Sequence, residues 1–141
     1  MKKFGLILTT FALLFVMGFS SNAQTPAKDD GKEIVKSDNI EMYYFHYERR
    51  CATCLAVESE SEKILGELYP EKVKSGEITF LSVNLEDESN QPLAEKLRVD
   101  GQTLLVVKGD KQDNLTNKAF MYVNTNRDKF KKAIQESIEN M

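Results

Sequence analysis

From residue 40 onward the rhythm of apolar and polar positions changes several times, and each change marks an element. Residues 42–47 are aromatic-rich and uncharged, which suits a strand buried on both faces better than a helix of little more than one turn. Cys54, Val57, Ser61, Ile64/Leu65 and Leu68 then recur at intervals of three and four. That spacing lines one face of a helix, with Glu58, Glu60, Glu62, Lys63 and Glu67 on the others. Pro70 ends it, because the residue before a proline avoids helical angles. Ser75-Gly76 marks a turn, and residues 78–85, dense in β-branched and apolar side chains, predict a central parallel strand.

Ser89-Asn90 supplies a cap and Pro92 falls in a first turn, where its missing N–H does no harm, so Gln91–Leu97 reads as a short helix. Residues 103–107 form a further apolar strand, 109–114 a polar turn, and 119–123 a short strand returning antiparallel. Thr125 or Asn126 caps a closing helix that gathers Phe130, Ala133, Ile134, Ser137, Ile138 and Met141 on one face. The order is βαβαββα. With a right-handed crossover it gives an α/β fold, a mixed sheet covered by helices on both faces.

The residues ahead of this pattern carry a different signal. Lys2 and Lys3 precede an uncharged apolar run over 4–19, followed by the small residues Ser20, Ser21 and Ala23. This is the layout of a secretory signal peptide over 1–23, cut before Gln24. A retained anchor is the rival, since the run is at the edge of what spans a bilayer; the small-residue exit favours cleavage. No cysteine lies near the cut to take a lipid, so no membrane anchor is expected after cleavage. Residues 24–39 are polar and charged and read as a flexible leader, leaving 40–141 as the folded domain. The expected location is exported, periplasmic or extracytoplasmic.

Cleavage would leave 141 less 23 residues, 118, which is enough for one hydrophobic core and not two. It removes two of the 19 basic residues and none of the 22 acidic ones, for a net charge of 17 less 22, or −5. A nucleic-acid partner is disfavoured.

The candidate chemistry is Cys51-Ala52-Thr53-Cys54, set where the first strand gives way to the first helix. Unpaired N–H groups and the dipole at a helix N-terminus favour a thiolate over a thiol. Arg49 and Arg50 precede the pair, and a guanidinium near Cys51 would lower its pKa further. Two intervening residues let the sulfurs meet across one turn. Cys51 is then the nucleophile that attacks a partner disulfide, and Cys54 resolves the mixed disulfide.

Three other readings compete. A structural bridge is compatible with export, though so short a loop constrains the unfolded chain little. A zinc half-site lacks a second cysteine pair and has only His46 to add. Copper suits soft thiolates with one imidazole, and His46 lies on the strand leading to the pair. A packed, hydrogen-bonded core histidine is the commoner role for such a residue.

The stretch Ile78-Thr-Phe-Leu-Ser-Val-Asn-Leu-Glu-Asp87, the stretch Leu93-Ala-Glu-Lys-Leu-Arg-Val-Asp-Gly-Gln-Thr-Leu-Leu-Val-Val-Lys-Gly-Asp110 and the cysteine motif together resemble the thioredoxin-like superfamily over nearly all of 40–141. The resemblance implies a thioredoxin fold and redox chemistry at Cys51 and Cys54. Several positions depart from that pattern. Arg50 replaces the tryptophan before the first cysteine, and Ala52-Thr53 replaces Gly-Pro. Gln102 falls where the superfamily carries a cis-proline, so Gln102 and Thr103 become the expected substrate-binding positions. A trans peptide is expected there, because a cis bond before a non-proline residue costs ~3 kcal/mol. Phe45 stands where thioredoxins bury a proton-relaying carboxylate, and Glu48 is a more distant substitute. Tyr43, Tyr44 and Tyr47 read as strand packing, and the Glu-rich first helix as a solvated face.

The resulting expectation is an exported thiol–disulfide oxidoreductase acting on protein thiols and disulfides. It would be served by a membrane-borne electron donor or acceptor and need no cofactor. The alternative is a non-catalytic thioredoxin-like module that binds copper or a protein partner.

Overall fold

Strand β1 (Ile40–His46) organises the molecule. In the computed structural model, which describes residues 38–141, it lies between two neighbours in a four-stranded sheet of order β2-β1-β3-β4. Its partners are β2 (Ile78–Asn84), parallel, and β3 (Thr103–Lys108), antiparallel. The expected signal peptide, and all of the expected leader except Asp38 and Asn39, lie outside the described residues. Both of those are exposed, and the strand starts immediately after them.

Alternation along β1 divides its side chains between two cores. Ile40, Met42 and Tyr44 join Leu104 and Val106 of β3 in one apolar cluster. Helix α1 (Ala52–Leu68) adds Val57, Ile64 and Leu65 to it, and helix α5 (Arg127–Glu139) adds Phe130, Ile134 and Ile138. Tyr43 and Phe45 join Leu105 and Val107 on the other face, under Ala94 and Leu97 of helix α3 (Gln91–Leu97). A strand buried on both sides turns neither face to solvent, as the uncharged run implied. Met42, Tyr44 and Phe45 are all fully buried, each contributing about 1.5–3 kcal/mol of apolar burial.

The expected α/β class therefore stands, a thioredoxin-like mixed sheet with helices on both faces, and four local expectations need correction. First, β2 is an edge strand and not a central one, because the chain carries β3 to the far side of β1; Leu81 and Ser82 are accordingly exposed. Second, Pro70 ends α1 but also opens helix α2 (Pro70–Ser75), where a residue without an N–H costs nothing in the first turn. Gly76, at φ 82°, closes that helix in the left-handed conformation glycine tolerates.

Third, the polar turn expected over 109–114 is only Gly109-Asp110. Lys111–Asn114 continues as strand β4, paired antiparallel with β3 and fixed by Lys108 opposite Lys111. A tight two-residue hairpin needs positive φ, and Gly109 supplies it at 57°. Fourth, the strand expected over 119–123 is helix α4 (Thr116–Tyr122). Leu115, Ala119 and Val123 are buried four residues apart, a helical spacing on the apolar side of a short amphipathic turn.

Caps show the same mixture. Asn126 caps α5, its Oδ1 accepting from the Lys129 N–H at 3.0 Å. Asn90 does not cap α3 with its side chain; its Nδ2 donates instead to the Asn84 carbonyl at 2.9 Å, tying the helix start to the end of β2. Among the described residues, no helix is long and apolar enough to cross a membrane.

Candidate functional site

Three segments meet at the end of β1: the loop leaving that strand, the start of α1, and the loop entering β3. The first is pinned where the Leu85 N–H donates to the His46 carbonyl at 2.8 Å. Cys51 is the N-cap of α1, extended at φ −84° and ψ 165°, and its carbonyl accepts from the Leu55 N–H at 3.1 Å. Its sulfur takes the position in which serine or aspartate commonly caps a helix. There it accepts the Cys54 N–H at 3.2 Å. The sulfurs are joined as a disulfide, with Cα atoms 5.1 Å apart.

The two sulfurs live in different surroundings. Cys51 is exposed, whereas Cys54 is 6% exposed. An accessible first sulfur and a sheltered second one match an attacking and a resolving thiol, since a partner disulfide must reach only the first.

Gln102 lies behind Cys54. Its Oε1 is 3.8 Å from the Cys54 Sγ, and its Nε2 donates to the hydroxyl of Tyr44. Burial is the main force holding the Tyr44 phenol above its ordinary pKa, and the Gln102 hydrogen bond and the Arg50 charge oppose that rise. Thr103 is buried, and its hydroxyl donates to the Gly101 carbonyl at 2.9 Å, bracing the loop that presents Gln102. No cis peptide bond occurs among the described residues, so the bond before Gln102 is trans.

Arg50 turns its guanidinium onto Glu58 of α1, in an ion pair, and onto the ring of His46. His46 is buried, with Nδ1 2.9 Å from the Tyr47 carbonyl. Nδ1 also lies 3.1 Å from the Arg50 Nε, so it serves one partner at a time, donating to the Tyr47 carbonyl or accepting from Arg50. Ser82 of β2 donates its hydroxyl to the other oxygen of Glu58. Arg49, by contrast, is exposed. On the outer side of the motif, Asn124 Nδ2 donates to the Thr53 hydroxyl at 3.1 Å. Tyr47, 43% exposed, hangs over Gly101.

Of the residues expected at the site, the structure brings Cys51, Cys54 and Gln102 together with Thr103 as a brace, while the Arg50 guanidinium is turned onto Glu58 and His46. Sequence reasoning missed Tyr44, Glu58, Ser82 and Asn124. For two of these a signal existed. Glu58 follows Cys54 by one helical turn, and Tyr44 has the same strand parity as His46. Phe45 is fully buried against the α3 side of the sheet, so the strand residue that reaches toward the cysteines is its neighbour Tyr44. Glu48 is exposed in the loop, its N–H donating to the Glu86 carboxylate at 2.5 Å.

No protein-family model matches the chain, and no curated protein matches it. Among solved structures, one titled "Structure of a malarial protein" aligns with 52% of this chain and 74% of its own, at 23% identity and a TM-score of 0.38. So distant a likeness does not bear on function.

Proposed function

We propose that the protein is an exported thiol–disulfide oxidoreductase of the thioredoxin-like superfamily, exchanging its Cys51–Cys54 disulfide or dithiol with protein substrates. One observation carries the reading: an exposed cysteine caps a helix N-terminus through its sulfur, and a buried cysteine one turn on is joined to it, placed to displace whatever the first has bound. The helix end supplies the Cys54 N–H to the Cys51 sulfur, and charge on that sulfur would strengthen the contact. A purely structural bridge has no need of an open first sulfur.

The reaction is two exchanges. The Cys51 thiolate attacks a substrate disulfide and expels one substrate sulfur, forming a mixed disulfide. Cys54 then attacks the Cys51 sulfur, closing the internal disulfide and releasing the second substrate sulfur. Export rests on the residues over 1–23, and a membrane-borne donor or acceptor would return the pair to its working state. Gln102, on the loop beside the sulfurs, is the position a substrate chain would meet, with the buried Thr103 at the start of β3 bracing that loop.

A copper module draws less support, because the His46 ring nitrogens face the Tyr47 carbonyl and the Arg50 guanidinium. Among the described residues, no three His, Cys, Asp or Glu side chains gather as a metal site.

The deciding experiment is reduction of insulin by dithiothreitol, with and without the protein. Wild type should accelerate it and Cys51→Ser should not. Equal rates for the two proteins would defeat the enzyme reading, and stoichiometric copper retention would put the binding module in its place.

A further inference from the structure

Cys54, a residue only 6% exposed, has a difficulty the exposed Cys51 does not. Burial disfavours its thiolate, the form that must attack. Thioredoxins are expected to meet this with a buried carboxylate, and here the corresponding residue is Phe45, facing the other side of the sheet. What does face Cys54 is an amide, Gln102 Oε1 at 3.8 Å, whose other end is bonded to the fully buried Tyr44 hydroxyl.

We propose that Gln102, held in place by Tyr44, is the positioning residue that makes the buried Cys54 sulfur reactive, a role that rests on the oxidoreductase reading and deepens it. A glutamine amide has an acceptor end and a donor end related by a half-turn, and a tyrosine hydroxyl can either donate or accept. With Oε1 toward the sulfur, the amide accepts from the Cys54 thiol while Nε2 donates to Tyr44. With the amide turned over, Nε2 donates to the Cys54 thiolate and Oε1 accepts from Tyr44. Each protonation state of the sulfur is thus met by a satisfied chain of hydrogen bonds. An apolar side chain at 102 could not do this, because it offers neither state a partner, and a carboxylate still ionised would set a like charge against the thiolate.

The other titratable and charged groups from the elements packed here are His46 and Tyr44 of β1, Arg50 of the following loop and Glu58 of α1. Arg50 is committed to Glu58 and His46. The α4–α5 connection contributes Asn124, uncharged, through Thr53.

In the resolving step the Cys54 thiolate forms the bond to the Cys51 sulfur, and the bond from Cys51 to the substrate sulfur breaks. The substrate sulfur leaves with the electron pair and takes up the proton that Cys54 gave up. Over both steps the protein dithiol loses two electrons and the substrate disulfide gains them.

The test uses the full chain, reduced and mixed rapidly with a chromogenic aromatic disulfide. Attack by Cys51 releases a first equivalent of coloured thiolate, and resolution by Cys54 releases a second. Gln102→Met should slow the second phase about tenfold or more, the usual worth of a hydrogen bond to an anion, and slow the first, through the substrate contact Gln102 also offers, by much less. Tyr44→Phe should fall between wild type and Gln102→Met. In a Cys51→Ser background, ultraviolet titration of the remaining thiol at fixed pH should give the highest thiolate fraction with the native Gln102. That fraction should be lower in Gln102→Met and lowest in Gln102→Glu. A role confined to shape would leave Gln102→Met, close in volume to glutamine, near wild type. Equal second phases, parallel slowing of both phases, or a Gln102→Met titration matching wild type would overturn the inference. Should wild type show no first phase, the oxidoreductase reading fails by itself, and the single-thiol titration still decides what Gln102 does.

Discussion

The two faces of β1 carry consecutive tyrosines with opposite fates. Tyr43 looks toward α3, packs beside Phe45 with ring centroids 5.7 Å apart, and sends its hydroxyl back along the strand to the Glu41 carboxylate at 2.7 Å. Burial, aided by that carboxylate, raises its pKa far above the ordinary phenol value. Tyr44 looks toward α1, shares its face with His46, and sends its hydroxyl to Gln102 behind Cys54. One face of the strand is structural to its end. The other turns polar in its last two inward positions, and the cysteines sit over that polar end. Strand parity, and not residue type, separates packing from chemistry here.

The largest effect expected on either face is from Cys51→Ser, which should reduce insulin reduction to the uncatalysed rate while sparing stability, because serine also caps a helix. Cys54→Ser should instead trap the substrate on Cys51, read as a mixed disulfide by mass. If Cys51→Ser retained catalysis, chemistry would have to be sought elsewhere than on the Tyr44 face.

Next in size is Phe45→Ala, which should cost about 3–5 kcal/mol in chemical denaturation by opening a cavity on the α3 side. The thiol chemistry of the folded fraction should stay intact. Loss of thiol reactivity out of proportion to loss of folded protein would show that the faces are coupled.

Arg50→Ala is expected to cost less, about 1–2 kcal/mol, because the ion pair it breaks with Glu58 is about one fifth exposed on each side. A double-mutant cycle with Glu58→Gln should recover part of that loss. Strict additivity would mean the pair is only a surface contact.

The smallest effect is electrostatic and lies away from both faces, where Arg127 and Lys131 of α5 bind Glu67 of α1. Hydrogen bonds from these two side chains hold the Glu67 carboxyl down at about 2, below its ordinary value of 4.5. A depressed carboxyl stabilises the fold above the unfolded value, and that contribution is lost as pH falls from 4.5 toward about 2. Glu67→Gln should therefore flatten the acid limb of a Tm-against-pH curve slightly, at low salt only, with thiol exchange at neutral pH unchanged. Solvent screening keeps the effect small.

Where the chain was legible, the signal was local. Helix Gln91–Leu97 follows from Pro92 and a short apolar spacing, and it forms over those residues. The uncharged run of β1 announced a strand buried twice. Where the reading failed, a neighbour outside the window decided. Lys111–Asn114 is wholly polar, and it is a strand only because β3 offers it an edge. Residues 119–123 are apolar enough for either structure, and packing of Leu115, Ala119 and Val123 into the α1–α5 core selects the helix. The same holds at the site: Tyr44 meets Gln102 across 58 residues, Ser82 meets Glu58 across 24, and Asn124 meets Thr53 across 71.

The amino-acid order alone determined the alternation of strands and helices, the placing of two cysteines at a helix start, and the absence of proline at 102. Each is a matter of residue type and short spacing, on which local backbone preference and thiol chemistry depend. Only the tertiary structure decided that β1 and not β2 is central, that Cys51 is open while Cys54 is covered, and that Tyr44 and Gln102 stand behind the covered sulfur. Burial and hydrogen-bond partnership are properties of segments brought together from distant parts of the chain, and they exist only once the sheet has fixed which side each residue faces.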